Sequence, residues 1–145
     1  MHRSLIVLAP YFIVGTSLGQ YKDTGTLRFF TGNFNNDAGR AMIQLYRSTD
    51  KVPDHPFMKV SGSLQNKSAI IDIHGLPYGD YAAILVHDEN SNGQIDHAYG
   101  LPAEQLGYTN KWELGFFTGM PSFSKLKFHF GPAQTSQKVL ITYKD

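Results

Sequence analysis

The sequence predicts an all-β protein built as an antiparallel β-sandwich. Apolar and polar residues alternate over several short stretches, and Gly, Pro and Asn interrupt them about every eight to twelve residues. No stretch keeps the 3.6-residue apolar period of a helix for more than a turn or two. Runs of six to eight short strands with this punctuation bury their apolar faces by packing sheet against sheet.

Taken in order, residues 1–19 read as a secretory signal peptide. Met1-His2-Arg3 gives a positive end, Leu5 to Val14 is apolar apart from Pro10, and Ser17-Leu18-Gly19 sets small residues before a cut ahead of Gln20. The apolar run is too short for a membrane span, which needs about 20 such residues. A single β-sandwich domain over 20–145 is therefore expected, exported to the periplasm or the extracellular space. Without Arg3 the mature chain has twelve Lys plus Arg against twelve Asp plus Glu. A balanced chain has no electrostatic footprint for nucleic acid or anionic lipid. With no cysteine the domain holds no disulfide, and no lipid-attachment cysteine follows the signal.

Residues 26–31 and 40–46 read as a β-hairpin joined by the Asn- and Gly-rich turn 33–39. A loop over 50–56, with two prolines, leads to a short edge strand within 57–64. In 68–74, Ala69, Ile71 and Ile73 face one way, and the Pro77 and Gly79 region makes a tight turn. Tyr81 to His87 is almost continuously apolar, the mark of a central strand covered on both faces. The segment 100–111 is polar and irregular. Leu126, Phe128 and Phe130 then alternate with Lys125, Lys127 and His129 as a half-exposed strand, and 137–143 supplies a closing strand.

The central strand delivers the chain into His87-Asp88-Glu89-Asn90-Ser91-Asn92-Gly93-Gln94-Ile95-Asp96. Asp88, Asn90, Asn92 and Asp96 occupy positions one, three, five and nine of a calcium loop, with Gly93 at the sharp turn and Gln94 offering its backbone carbonyl. Position twelve is Tyr99, where a bidentate Glu would complete the shell. The alternative is a set of Asx turns that need no ion. With two charged ligands, calcium affinity would fall in the weak range of extracellular modules, about 10⁻⁴ to 10⁻³ M.

Two other readings stay open. Tyr99, Tyr108 and Trp112, followed by Phe116 and Phe117, form an aromatic-rich segment suited to a carbohydrate or peptide ligand, or else to covering one end of the core. His87, Asp88 and His97 offer the donor types of a metal-dependent hydrolase. No Gly-x-Ser-x-Gly elbow or phosphate-cradling loop is present, so a non-enzymatic protein is expected, its partner an unidentified protein or glycan.

The motifs Leu76-Pro77-x-Gly79-x-Tyr81, His87-Asp88-x-Asn90-x-Asn92-Gly93-x-x-Asp96, Gly100-x-Pro102, Gly107-Tyr108-x-Asn110 and Pro121-x-Phe123 resemble a family of exported bacterial proteins known as a domain of unknown function. The resemblance spans most of the mature chain and departs around residues 112–120. It implies an immunoglobulin-like or transthyretin-like sandwich of about seven strands and an envelope or extracellular location, with no established activity and so no catalytic residue to carry over. The Leu76 to Tyr81 turn also resembles that of accessory modules of the collagen-adhesin B type.

Overall fold

A computed structural model describes residues 22–143; the expected signal peptide lies outside them. In chain order the elements are β1 (Thr24–Gly32), β2 (Arg40–Tyr46), β3 (Met58–Ser63), β4 (Ser68–Pro77), β5 (Gly79–Asp88), β6 (His97–Ala98), β7 (Leu101–Pro102), β8 (Leu106–Tyr108), α1 (Phe123–Leu126), β9 (Phe128–Phe130) and β10 (Ser136–Leu140). The protein is all-β. One sheet has the order β10-β1-β4 and a larger one the order β3-β2-β5-β8, with β9 pairing the first residues of β5; β6 and β7 form a separate ribbon.

The two main sheets face each other across a core. Leu27 and Phe29 of β1, with Ile71 and Ile73 of β4, meet Ala41, Ile43 and Leu45 of β2 and Ala83 and Leu85 of β5. The period of two then sends Met42 and Tyr46 of β2, and Ala82, Ile84 and Val86 of β5, to the opposite side of the larger sheet. There they join Leu106, Tyr108 and Leu126 in a second core. This second burial explains why Tyr81 to His87 is apolar without alternation, as expected of a central strand.

Four expectations are corrected. The strands at 26–31 and 40–46 do not form a hairpin: β1 pairs with β4 and β10, whereas β2 pairs with β3 and β5. Residues 33–39 instead carry the chain from one sheet to the other, because both strands have an apolar face to commit to the shared core from opposite sides. Pairing is not wholly antiparallel, since β10 runs parallel to β1. The segment 100–111 holds β7 and β8, and β8 is buried and paired with β5. Leu126 belongs to α1 and fills the second core, so the strand that follows is only Phe128–Phe130.

Where β4 meets β5 only Tyr78 intervenes, and the chain changes sheet there. The expected edge strand is β3, at the border of the larger sheet.

Candidate functional site

The loop following β5 is closed from within. Asp88 is fully buried, and its carboxylate accepts three hydrogen bonds: Asn92 N–H at 3.0 Å on Oδ1, and Gly93 N–H at 2.9 Å and Arg40 Nε at 3.0 Å on Oδ2. Burial pushes this carboxyl up, but the Arg40 guanidinium and the two backbone amides outweigh it and hold it below the usual carboxylate range. Gly93 has φ +73°, the left-handed conformation that glycine adopts at a sharp turn without strain.

The other predicted ligands converge on Asp96. Asn90 Nδ2 donates to Asp96 Oδ2 at 2.7 Å and Asn92 Nδ2 to Oδ1 at 2.8 Å. Their oxygens close Asx turns, Asn90 Oδ1 accepting from Asn92 N at 3.2 Å and Asn92 Oδ1 from Gln94 N at 2.9 Å. Asp88, Asn90, Asn92 and Asp96 are thus brought together, with Gln94 held through its amide.

Long-range partners absent from the loop's own spacing fasten it to the sheet. Arg40 Nη2 donates to Ser91 O at 3.0 Å, so one guanidinium from β2 joins the strand end to the loop. Lys59 of β3 donates to Gly93 O at 2.8 Å. Glu104 accepts from Asp96 N at 3.3 Å through Oε2, while its Oε1 is buried with no hydrogen-bond partner among the described residues. Burial, with the charges of Asp96 and Asp88 nearby, pushes the Glu104 carboxyl up to about 6. A signal for Arg40 existed in the sequence, a charge opening a strand that is apolar apart from Gln44; Lys59 and Glu104 left none.

The histidines are not gathered into one centre. His87 is fully buried, its Nε2 donates to Ala38 O at 2.9 Å, and Nδ1 lies 3.4 Å from Gln105 Oε1. Its ring packs edge-on to Phe34 with centroids 5.1 Å apart. His97 sits instead on β6 and lies close enough to influence Asp54. Among the described residues no group of three or more His, Cys, Asp or Glu is placed to hold a metal ion.

Tyr108 and Trp112 meet edge to face, centroids 4.8 Å apart, as part of the second core. Tyr99 is fully exposed and does not join them, so the three do not make a stacking platform. Of the three, Tyr108 lines a cleft of about 710 Å³ on the outer side of the larger sheet, walled also by Ile84, Leu106, Ile95, Leu101 and Leu114 among others.

The model of a bacterial family, described as an uncharacterized protein conserved in bacteria (DUF2141), matches residues 31–138. The chain belongs to this family. The match takes in the whole 88–96 loop, its anchors Arg40, Lys59 and Glu104, and the cleft-lining segments of this DUF2141 domain. No curated protein and no solved structure matches the chain. Among the described residues no helix is long and apolar enough to cross a membrane.

Proposed function

We propose that this protein is an exported, non-enzymatic domain of the immunoglobulin-like or transthyretin-like sandwich type, in which the 88–96 loop takes calcium and stiffens one end. The observation that carries the reading is the convergence of Asn90 and Asn92 on the Asp96 carboxylate. A cation entering there replaces the two amide donors, and a modest rotation of each amide presents oxygen to it. Asp88 has room for one further bond, because a carboxylate offers about four acceptor sites and three are taken. Arg40 already neutralises Asp88, which keeps the site weak and suits it to millimolar calcium outside the cell.

With a Kd of about 10⁻⁴ to 10⁻³ M, 10 mM calcium adds about 1.4 to 2.7 kcal/mol by mass action. Thermal unfolding of the mature chain, in chelator and then in 10 mM calcium, should show the midpoint rise by about 4–10 °C. Asp96→Ala should abolish the rise. A wild-type midpoint that ignores calcium, or an equal rise in the variant, sinks the calcium reading.

A second reading is a ligand-binding module, supported by the apolar cleft beside the aromatic segment. Its wall is aliphatic for the most part, and Tyr108 and Trp112 pack into the second core, which leaves Phe116 as the exposed aromatic of the wall. The cleft therefore favours an apolar ligand over the glycan or peptide expected from the aromatic composition.

A further inference from the structure

The cleft does not stand alone. A second pocket of about 210 Å³ adjoins it, and Pro102, Leu106, Tyr108 and Leu114 line both. The chemistry of the two chambers is opposite. The larger is bounded mostly by aliphatic and aromatic side chains, with His97 the one basic residue among the described residues of its wall. The smaller is lined by Glu104 and Glu113 together with the polar side chains of Gln105, Thr142 and Tyr143, and among the described residues no Lys, Arg or His lines it. Glu104 lines this pocket, and its carboxylate also carries a buried oxygen, Oε1, with no hydrogen-bond partner among the described residues. A buried acceptor left unanswered costs free energy that a donor from a ligand recovers.

We infer that the two chambers together form one site for an amphipathic amine, the apolar body lying in the larger cleft and the ammonium group in the smaller pocket against Glu104 and Glu113. This rests on the ligand-binding reading above. The volume of the cleft is within the range of small-molecule sites, about 300 to 1,000 Å³. Charge decides the head group. Two carboxylates with no base beside them among the described residues of the pocket wall repel a fatty acid's carboxylate, tolerate a neutral alcohol, and attract an ammonium that carries three donors. The mouth of the cleft suits entry of an apolar chain, because Leu101, Phe116 and Met120 line it and are all exposed.

Three probes of equal chain length separate the two levels of the claim: dodecylamine, dodecanol and dodecanoate, each below its micellar concentration at pH 8, displacing a neutral apolar fluorophore from the full mature chain. The amine should bind about ten- to a hundredfold more tightly than the alcohol, the range of a charge-assisted hydrogen bond, and the carboxylate most weakly. Shortening the amine by two carbons should weaken it about fifteenfold, since each buried CH₂ accounts for about fourfold. Glu113→Gln, at an exposed position, and Glu104→Gln, accepted only if its circular dichroism matches wild type, should together bring amine and alcohol to parity. Leu101→Asp, at an exposed point on the cleft wall, should weaken all three. Amine and alcohol bound equally by wild type, or dodecanoate bound best, overturns the head-group assignment and leaves the cleft. No displacement by any probe, or displacement untouched by Leu101→Asp, overturns the ligand-binding reading itself.

Discussion

Replacing Asp88 by alanine tests whether the loop is closed by its own hydrogen bonds or waits for an ion. The carboxylate is fully buried and takes three bonds, two from backbone amides and one from a guanidinium, all at 2.9 to 3.0 Å. Bonds to a charged group contribute about 1.5 to 3 kcal/mol each in mutational series. The full sum is not lost, because the Arg40 side chain is 36% exposed and water replaces part of what it loses. A net destabilisation of about 3–4 kcal/mol follows, which for a domain of this size lowers the midpoint by about 10–15 °C. The assay is thermal unfolding followed by far-ultraviolet circular dichroism in excess chelator, so that no ion contributes. Arg40→Ala, measured beside it, should cost a similar amount, because it leaves a buried carboxylate without its charge partner. A drop under about 1 kcal/mol for Asp88→Ala in chelator would refute the reasoning and show that these contacts do not close the loop without an ion.

Other perturbations report on neighbouring contacts. Gly39→Ala should destabilise by at least about 3 kcal/mol, because φ is +68° and the new methyl would lie 2.1 Å from the Asp88 carbonyl oxygen and 2.5 Å from that of Glu89; an unchanged denaturant midpoint would argue against this approach of the chain. Glu104→Gln should remove one pH dependence. Folded Glu104 holds its proton up to about pH 6 against an ordinary 4.5, so wild-type stability falls as pH rises through that window. Discounted for exposure, the variant should be about 1 kcal/mol more stable than wild type at pH 8 and equal to it at pH 4, by urea titration. Trp112→Ala should cost about 3 kcal/mol through loss of its packing on Tyr108, yet leave any calcium response intact.

What the sequence made legible was whatever local spacing encodes. The double-sided burial of β5 is written in the unbroken run from Tyr81 to His87, and the closed turn in the alternation of Asp88, Asn90 and Asn92. Pairing partners are not encoded locally. The turn residues between Gly32 and Arg40 announce a change of direction, but the same signal serves a hairpin and a passage between sheets. β8 escaped because Leu106-Gly107-Tyr108 is too short to show a period, and a polar, Gly-containing setting hides that all three are buried. The anchors of the loop come from 48 residues before Asp88 in the case of Arg40 and from a later turn in the case of Glu104, so only the fold unites them. Tyr108 and Trp112 were legible as a candidate platform by composition alone. Their inward packing follows from a second core that the unbroken apolar run of β5 implied, and that needed a cover.

The loop and the cleft are not independent features. Ile95 lies inside the loop, packs on the second core and forms part of the cleft wall. The next residue, Asp96, accepts from Ala103 N at 2.8 Å through its carbonyl, which closes the β6–β7 ribbon carrying His97, Leu101 and Pro102 to the same wall. Anything that opens the loop therefore loosens one side of the cleft. Asp88→Ala, held well below its lowered midpoint so that it stays folded, should weaken binding of an apolar fluorophore severalfold, and calcium should tighten binding in wild type but not in Asp96→Ala. Linkage makes the second effect reciprocal, the fluorophore raising calcium affinity by the same factor. Fluorophore binding that is identical in wild type and Asp88→Ala would show that the ribbon holds its place without the loop, and would separate the two sites.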